Sequence, residues 1–270
     1  MYKHFYGFTK DPFNLTPDPD FLYLTPSYRE ALAQLIYGVR EKKGLILLTG
    51  EVGVGKTTIL KSFLNYLKHT GGLSAFIFNS ILEPIEFFHL VCEGLGLSRP
   101  NNKADFLISL NKFLTQCLEE QKAVAIVVDE AHNLSPLLLE EIRLLLNLET
   151  NNQKLLQIVL CGQPELWEKL NTPKLRQLRQ RIALRFILNP LNRRETENYI
   201  KTRLIKAGGK SNIFNTQAID RIYTYSKGIP RIINIICDHA LIEGYATDKK
   251  IIGADIIEQV VKDMAIRDLL

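Results

Sequence analysis

The segment Gly50–Thr58, which reads GEVGVGKTT, constrains the fold of this chain more than any other. It follows the apolar run Leu45–Leu48, precedes apolar residues at helical spacing, and satisfies the pattern G-x-x-x-x-G-K-[ST]. Glycines let such a loop turn its backbone N–H groups around a β-phosphate, so the pattern predicts a nucleotide-binding loop. Lys56 would reach the β- and γ-phosphates, and the Thr57 hydroxyl would bind Mg²⁺. The expected contact residues are Gly50, Glu51, Val52, Gly53, Val54, Gly55, Lys56, Thr57 and Thr58.

The composition is that of a globular protein able to bury a core, with 270 residues, 46% of them hydrophobic and 23% charged. No apolar run approaches the roughly 18 residues of a membrane-spanning helix, and the N-terminus lacks a signal-peptide pattern, so we expect a cytoplasmic protein. The net charge of +5 permits binding to nucleic acid or an anionic membrane, although a solvated basic surface explains it more simply. Isolated cysteines without metal-binding spacing predict buried reduced thiols at Cys92, Cys117, Cys161 and Cys237.

Short apolar runs alternate with segments of helical spacing as far as Leu188. The predicted strands cover residues 45–48, 73–79, 123–128, 155–161 and 184–188. Beyond Pro190 the sequence shows helical spacing only, over residues 195–207, 215–226, 229–245 and 253–264. This order predicts an α/β core over residues 1–189, a three-layer sandwich with a five-stranded parallel sheet, followed by a small all-helical domain over residues 190–270.

The first 26 residues combine four prolines with many aromatic residues. Proline forbids a long helix there, and so many aromatic side chains argue against a free tail. We therefore expect an ordered but irregular segment packed on the core. It would either line the adenine side of a nucleotide site or serve core packing alone.

Two adjacent carboxylates, Asp129 and Glu130, follow the third predicted strand. Asp129 would hold Mg²⁺ through water and Glu130 would polarise the attacking water, although such a pair can also cap the following helix. The string Asp129-Glu130-Ala131-His132 is typical of helicases, but helicases that carry it need two motor cores. A chain of 270 residues with one phosphate loop does not supply them, so we interpret His132 as structural.

Polar residues also follow the second and fourth predicted strands. In a parallel sheet Gln163 would lie beside the strand that carries Asp129, where its amide could touch both the γ-phosphate and the attacking water. Gln163 could equally be an ordinary polar residue at the end of a strand. Asn79 could hydrogen-bond to Glu130 and hold it away from water.

Arginines are concentrated before and within the fifth predicted strand, at positions 176, 179, 181 and 185. They form either a solvated helix face or a source of a guanidinium that reaches the γ-phosphate of a neighbouring subunit. Arg231 follows Pro230 at the start of a predicted helix. That position suits an arginine that leans over a nucleotide bound between two domains.

Together these motifs resemble those of AAA+ ATPases: Walker A at Gly50–Thr57, Walker B at Ala125–Glu130, a sensor-1 residue at Gln163 and a sensor-2 residue at Arg231 in a helical lid. More narrowly, the chain resembles the ExeA (general secretion pathway A) family. The segments that carry this resemblance are Phe5-Tyr6-Gly7-Phe8, Pro12-Phe13, Pro17-Asp18-Pro19, Arg29-Glu30-Ala31, Gly162-Gln163-Pro164-Glu165-Leu166, Gln180-Arg181-Ile182 and Gly228-Ile229-Pro230-Arg231.

The resemblance implies an ATPase that uses ATP and Mg²⁺ at an inter-subunit site of a ring or filament, with Arg181 as the best arginine finger and Arg179 next. It implies coupling of assembly or hydrolysis to a protein partner in secretion or cell-envelope assembly. Related ATPases regulate DNA transposition, so the alternative is a nucleotide-gated adaptor or filament on DNA. Secretion-branch members continue into a membrane span and a peptidoglycan-binding domain, whereas this sequence ends at Leu270; it is then a part of such a protein or a stand-alone relative.

Overall fold

The structure is a computed structural model that describes residues 1–16, 18, 21–78 and 81–264. It divides into two compact units. The α/β unit comprises residues 26–51 and 59–188, and the helical unit comprises residues 1–25, 52–58 and 189–270. The helical unit thus includes the N-terminal segment and most of the phosphate loop, and the simpler division into 1–189 and 190–270 stays a prediction.

The α/β unit is built on a five-stranded sheet in which every neighbouring pair is parallel, in the order β2-β3-β4-β1-β5. The strands are β1 Leu45–Gly50, β2 Leu73–Ile77, β3 Val124–Val128, β4 Gln157–Gly162 and β5 Ile182–Leu188. All residues of β1, β3 and β4 are buried, as expected of strands covered on both faces. The predicted fold class is therefore confirmed.

The helices are α1 Tyr2–Tyr6, α2 Pro26–Arg40, α3 Lys56–His69, α4 Pro84–Leu95, α5 Lys103–Glu119, α6 Pro136–Leu145, α7 Pro164–Leu170, α8 Arg176–Arg179, α9 Arg193–Lys206, α10 Thr216–Ser226, α11 Pro230–Ala246 and α12 Ala254–Asp263. The four helices beyond Pro190 begin and end close to their predicted positions, whereas α1, α7 and α8 were not predicted. None of the helices within the described ranges is long and apolar enough to cross a membrane.

Among the strand boundaries that differ from the prediction are the start of β4 and the end of β2. The strand expected to begin at residue 155 begins at Gln157, because Leu155 N still donates to Leu148 O at 3.1 Å and Glu149 pairs with Lys154 in an antiparallel bridge. The described part of β2 ends at Ile77, and Asn79 lies outside the described residues.

The core of the α/β unit lies between the sheet and the helices on its face. Phe87 and Phe88 of α4 are buried there, and the Phe88 ring stacks on Phe106 of α5 with centroids 4.3 Å apart. Burying each such side chain contributes about 1.5–3 kcal/mol to folding.

The four cysteines are buried and free, as predicted, and burial raises the pKa of the Cys92 and Cys117 thiols, which keeps them unreactive.

The N-terminal segment packs on helices of its own unit. Thr9 N donates to Ala207 O at 2.7 Å, and the Arg203 guanidinium, which is almost fully buried, donates through Nε to Pro12 O at 2.6 Å. Phe13 meets Phe214 edge to face at a centroid distance of 6.0 Å. The segment is ordered, its contacts named above are with other parts of the helical unit to which it belongs, and its first turn forms α1.

Gly228 precedes Pro230, the first residue of α11, by two positions and has no room for a side chain. It has a φ of +76°, and a Cβ atom added there would lie 1.8 Å from Leu191 O, whereas Gly7 has the similar φ of +77° with open space around it. We therefore expect Gly228→Ala to lower the free energy of unfolding by more than about 3 kcal/mol. Gly7→Ala should lower it by about 1 kcal/mol, since only the backbone strain applies. Urea unfolding checks both, and equal losses would contradict the contact with Leu191.

Candidate functional site

The phosphate loop joins the end of β1 to the first residue of α3. Gly53 has a φ of +80° and Gly55 a φ of +99°, both in the left-handed region that favours glycine. Lys56 begins α3 and is only 6% exposed. A buried cation at the start of a helix, where backbone N–H groups point outward from the first turn, suits a bound anion such as a triphosphate. The loop therefore fits the ligand that its sequence predicts.

Arg231 lies against this loop within the helical unit. Its backbone N donates to Gly53 O at 3.2 Å, and its side chain is exposed. A Cβ atom on Gly53 would lie 2.7 Å from the Arg231 Cβ and 3.1 Å from the Ile229 Cγ2. A glycine is therefore required at position 53, both by its left-handed backbone and by the close approach of the first turn of α11. The backbone of Arg231, the predicted sensor-2 residue, lies beside the phosphate loop.

The two carboxylates follow β3, as predicted. Asp129 is 5% exposed, and its Oδ1 accepts a hydrogen bond from Glu130 N at 2.9 Å. Glu130 has a left-handed backbone with φ +50°, which is unfavourable for a residue with a side chain and is typical of functional positions. Glu130 occupies the N-cap position of the short 3-10 helix Ala131–Asn133 but makes no side-chain cap bond there, and the cap of α6 is Ser135, whose Oγ accepts from Leu138 N at 3.2 Å.

Gln163 follows β4, which pairs with β3, and its side chain meets His132. The Gln163 Nε2 lies 3.2 Å from the His132 Nε2, and the His132 Nδ1 lies 3.4 Å from the Glu130 Oε2. The imidazole thus stands between the carboxylate and the amide. The sequence interpretation treated Gln163 and Glu130 separately and His132 as structural, because neither periodicity nor spacing shows which side chains meet across two strand ends.

The turn that carries His132 is held by α7, the helix that follows β4. Lys169 of α7 donates through Nζ to His132 O and, at 3.0 Å, to Leu134 O. A Cβ atom on Gly162 would lie 3.1 Å from His132 N. The turn is therefore packed directly on the end of β4 and bonded to α7, which fixes the position of the imidazole.

The arginines near β5 have different surroundings. Arg185 lies over the Trp167 ring at 3.5 Å from its centroid, a cation–π contact that gives it a structural role. Arg179 donates to Asn171 Oδ1 at 2.7 Å, and Arg181 donates to Arg143 O at 3.5 Å, near the limit of a hydrogen bond. Arg176 is exposed. The assignment of a finger to Arg181 or Arg179 stays a prediction.

Comparison with known proteins supplies the family. A family model described as an AAA domain matches residues 39–170. General secretion pathway protein A of Aeromonas hydrophila is 41% identical over 271 residues, which cover 99% of this chain and 49% of that protein. The chain belongs to the general secretion pathway A-like AAA family. It spans about half the length of this relative.

Solved structures agree with this family at the level of the fold. The Aeropyrum pernix ORC2 protein in ADPNP and ADP complexes has a TM-score of 0.65 at 14% identity, covering 92% of this chain and 72% of that one. Cdc6p of Pyrobaculum aerophilum has a TM-score of 0.67 at 16% identity, covering 91% and 70%. The general secretion pathway A-like chain thus has the P-loop AAA+ fold.

Proposed function

We propose that this general secretion pathway A-like protein binds ATP with Mg²⁺ and hydrolyses it at a site completed by a neighbouring subunit. The observation that carries the proposal is the structure of the phosphate loop. Gly53 and Gly55 have left-handed backbone conformations, and Lys56, which follows them as the first residue of α3, is buried. The ORC2 neighbour was solved with ADPNP and ADP, which supports a nucleotide as the ligand of this fold.

In this proposal the phosphate loop and Lys56 bind the triphosphate, and Arg231 extends from beside Gly53 toward its phosphates. Thr57 and Asp129 would hold Mg²⁺, which supplies positive charge to the phosphate oxygens. Glu130 orients a water molecule and accepts its proton. Its side chain is 45% exposed as a whole, although the Oε2 atom beside His132 is itself buried. The loop leaves β1 at the same edge of the sheet at which Glu130 and Gln163 follow β3 and β4.

The arginine finger is tested by mixing two inactive variants. Arg181→Ala should lower the hydrolysis rate by about 10³-fold, since a guanidinium near the γ-phosphate stabilises developing charge. Mixed with Glu130→Gln subunits, it should regain activity, because its own Glu130 then meets the intact Arg181 of the other variant. Lys174→Ala, an exposed cation of the same segment, serves as the control. A mixture no faster than its components, in a protein shown to be oligomeric with ATP, would contradict Arg181 acting between subunits.

We further propose that the oligomer passes its assembly or hydrolysis state to a protein partner of secretion or cell-envelope assembly, and that it acts in the cytoplasm at the inner membrane through that partner. The 41% identity to general secretion pathway protein A supports this. DNA binding stays a prediction from the net charge of +5, because structural neighbours at this identity show the fold alone. Binding to duplex DNA that weakens steeply with salt would favour it.

A further inference from the structure

We propose that His132 is a positioning residue that links the carboxylate of Glu130 to the amide of Gln163. The inference rests on the proposed function, because it concerns how the hydrolytic carboxylate is oriented. It assigns a role to a residue that the sequence alone indicated to be structural. All three residues lie in the α/β unit, so the argument depends on contacts within one unit.

The first step is the set of contacts that the two imidazole nitrogens make. The Nδ1 lies 3.4 Å from the Glu130 Oε2, and the Nε2 lies 3.2 Å from the Gln163 Nε2. In a neutral imidazole one nitrogen donates and the other accepts. A proton on Nδ1 satisfies both side-chain contacts, since Nδ1 then faces a carboxylate and Nε2 accepts from the Gln163 amide. The Gln163 backbone N donates to Nδ1 at 3.5 Å, near the limit of a hydrogen bond, and this bond is lost when Nδ1 carries the proton.

The second step is rigidity. The His132 side chain is 16% exposed, so water competes little for its nitrogens. Lys169 binds the carbonyl oxygens of His132 and Leu134, and the backbone of the turn lies against Gly162. A ring fixed in this way transmits a change at one nitrogen to the group at the other, whereas a mobile ring would not.

The third step is the consequence for hydrolysis. Gln163, which follows β4, is the residue we expect to contact the γ-phosphate. A shift of its amide changes the hydrogen bond at Nε2, and through the same ring it changes the contact of Nδ1 with Glu130. The orientation of the Glu130 carboxylate therefore depends, through His132, on whether the Gln163 amide contacts a γ-phosphate. This role affects the rate of hydrolysis and leaves ATP affinity largely unchanged.

Steady-state kinetics of variants of the 270-residue chain tests this split. We expect His132→Ala to lower kcat by about 10- to 100-fold, the effect of slight misplacement of a reacting group, with KM within about twofold. His132→Leu fills a similar volume without hydrogen bonds and should behave like His132→Ala, whereas His132→Asn keeps a donor near the Nδ1 position and should recover part of the rate. His89→Ala is the matched control, because His89 is a half-buried histidine that contacts Pro100 O and Arg99.

A second readout uses the nucleotide-free protein. In ¹⁵N-labelled protein at a pH where the ring is neutral, the imidazole shifts of His132 should report the proton on Nδ1, and Gln163→Ala should move it toward the Nε2 form that free imidazoles favour. Removing both His132 and Gln163 should lower kcat no further than removing His132 alone, because the two act as a unit.

The inference is overturned by a His132→Leu protein with the wild-type kcat, by fully additive losses in the double variant, or by an Nε2 proton in the wild-type protein. Failure of the proposed function looks different. In that case the wild-type protein itself releases no phosphate, and the imidazole shifts still report whether His132 bridges Glu130 and Gln163.

Discussion

Replacing Glu130 with glutamine should lower the rate of ATP hydrolysis by about 10²–10⁴-fold while ATP affinity stays nearly constant. The amide has the same size and occupies the same left-handed position, but it cannot accept a proton from water. Asp129 and the phosphate loop are untouched by the change, so binding should persist. Phosphate release at saturating ATP measures the rate, and calorimetric titration with a slowly hydrolysed analogue measures the affinity.

Glu93→Gln provides the matched control, because Glu93 is an exposed glutamate of α4 with no place in the proposed site. It should hydrolyse ATP at the wild-type rate. A Glu130→Gln protein that turns over as fast as the wild type would show that another group activates the water. Loss of both binding and turnover would instead indicate that Glu130 supports the loop and not the chemistry.

Replacing Lys56 with alanine should weaken ATP binding by more than about 100-fold. Lys56 is 6% exposed, and charges interact more strongly where water is largely excluded, so loss of this ammonium removes a major attraction for the β- and γ-phosphates. Titration of the nucleotide-free protein with ATP and Mg²⁺ measures the change. Thermal unfolding without nucleotide checks that the variant remains folded.

Lys68→Ala is the control for Lys56, since Lys68 lies exposed in the last turn of the same helix. Its removal changes the net charge equally, but it should leave ATP affinity within about twofold. Equal weakening by both variants would mean that general charge attracts the nucleotide. Unchanged affinity in the Lys56→Ala protein would remove the phosphate loop from the proposed site.

The sequence predicts the sheet well because its central strands leave few alternatives. Uninterrupted apolar runs such as Ala125–Val128 suit only strands covered on both faces, and the glycines of the phosphate loop have the backbone conformations that their pattern requires. Short elements are harder. Helix α7 has seven residues, which is too few for a clear period, and α1 forms beside residues whose prolines indicate irregular structure.

Contacts between side chains on different strands and helices cannot be predicted from local sequence patterns. His132 is 31 positions away from Gln163 in the sequence, and the two meet because β3 and β4 are neighbours in register. Arg185 likewise lies over the Trp167 ring, a contact that no local sequence pattern predicts. The packing of the N-terminal segment on α9 has the same origin, since Arg203 reaches Pro12 only in the folded chain.

A single-turnover experiment, with the purified chain in excess over ATP in the presence of Mg²⁺, tests the central proposal most directly. It reports binding and hydrolysis together without product release. The account predicts that the wild-type protein converts the bound ATP to ADP and phosphate at least about 100-fold faster than the Glu130→Gln protein. ATP that remains intact, or equal conversion by the two proteins, would contradict it.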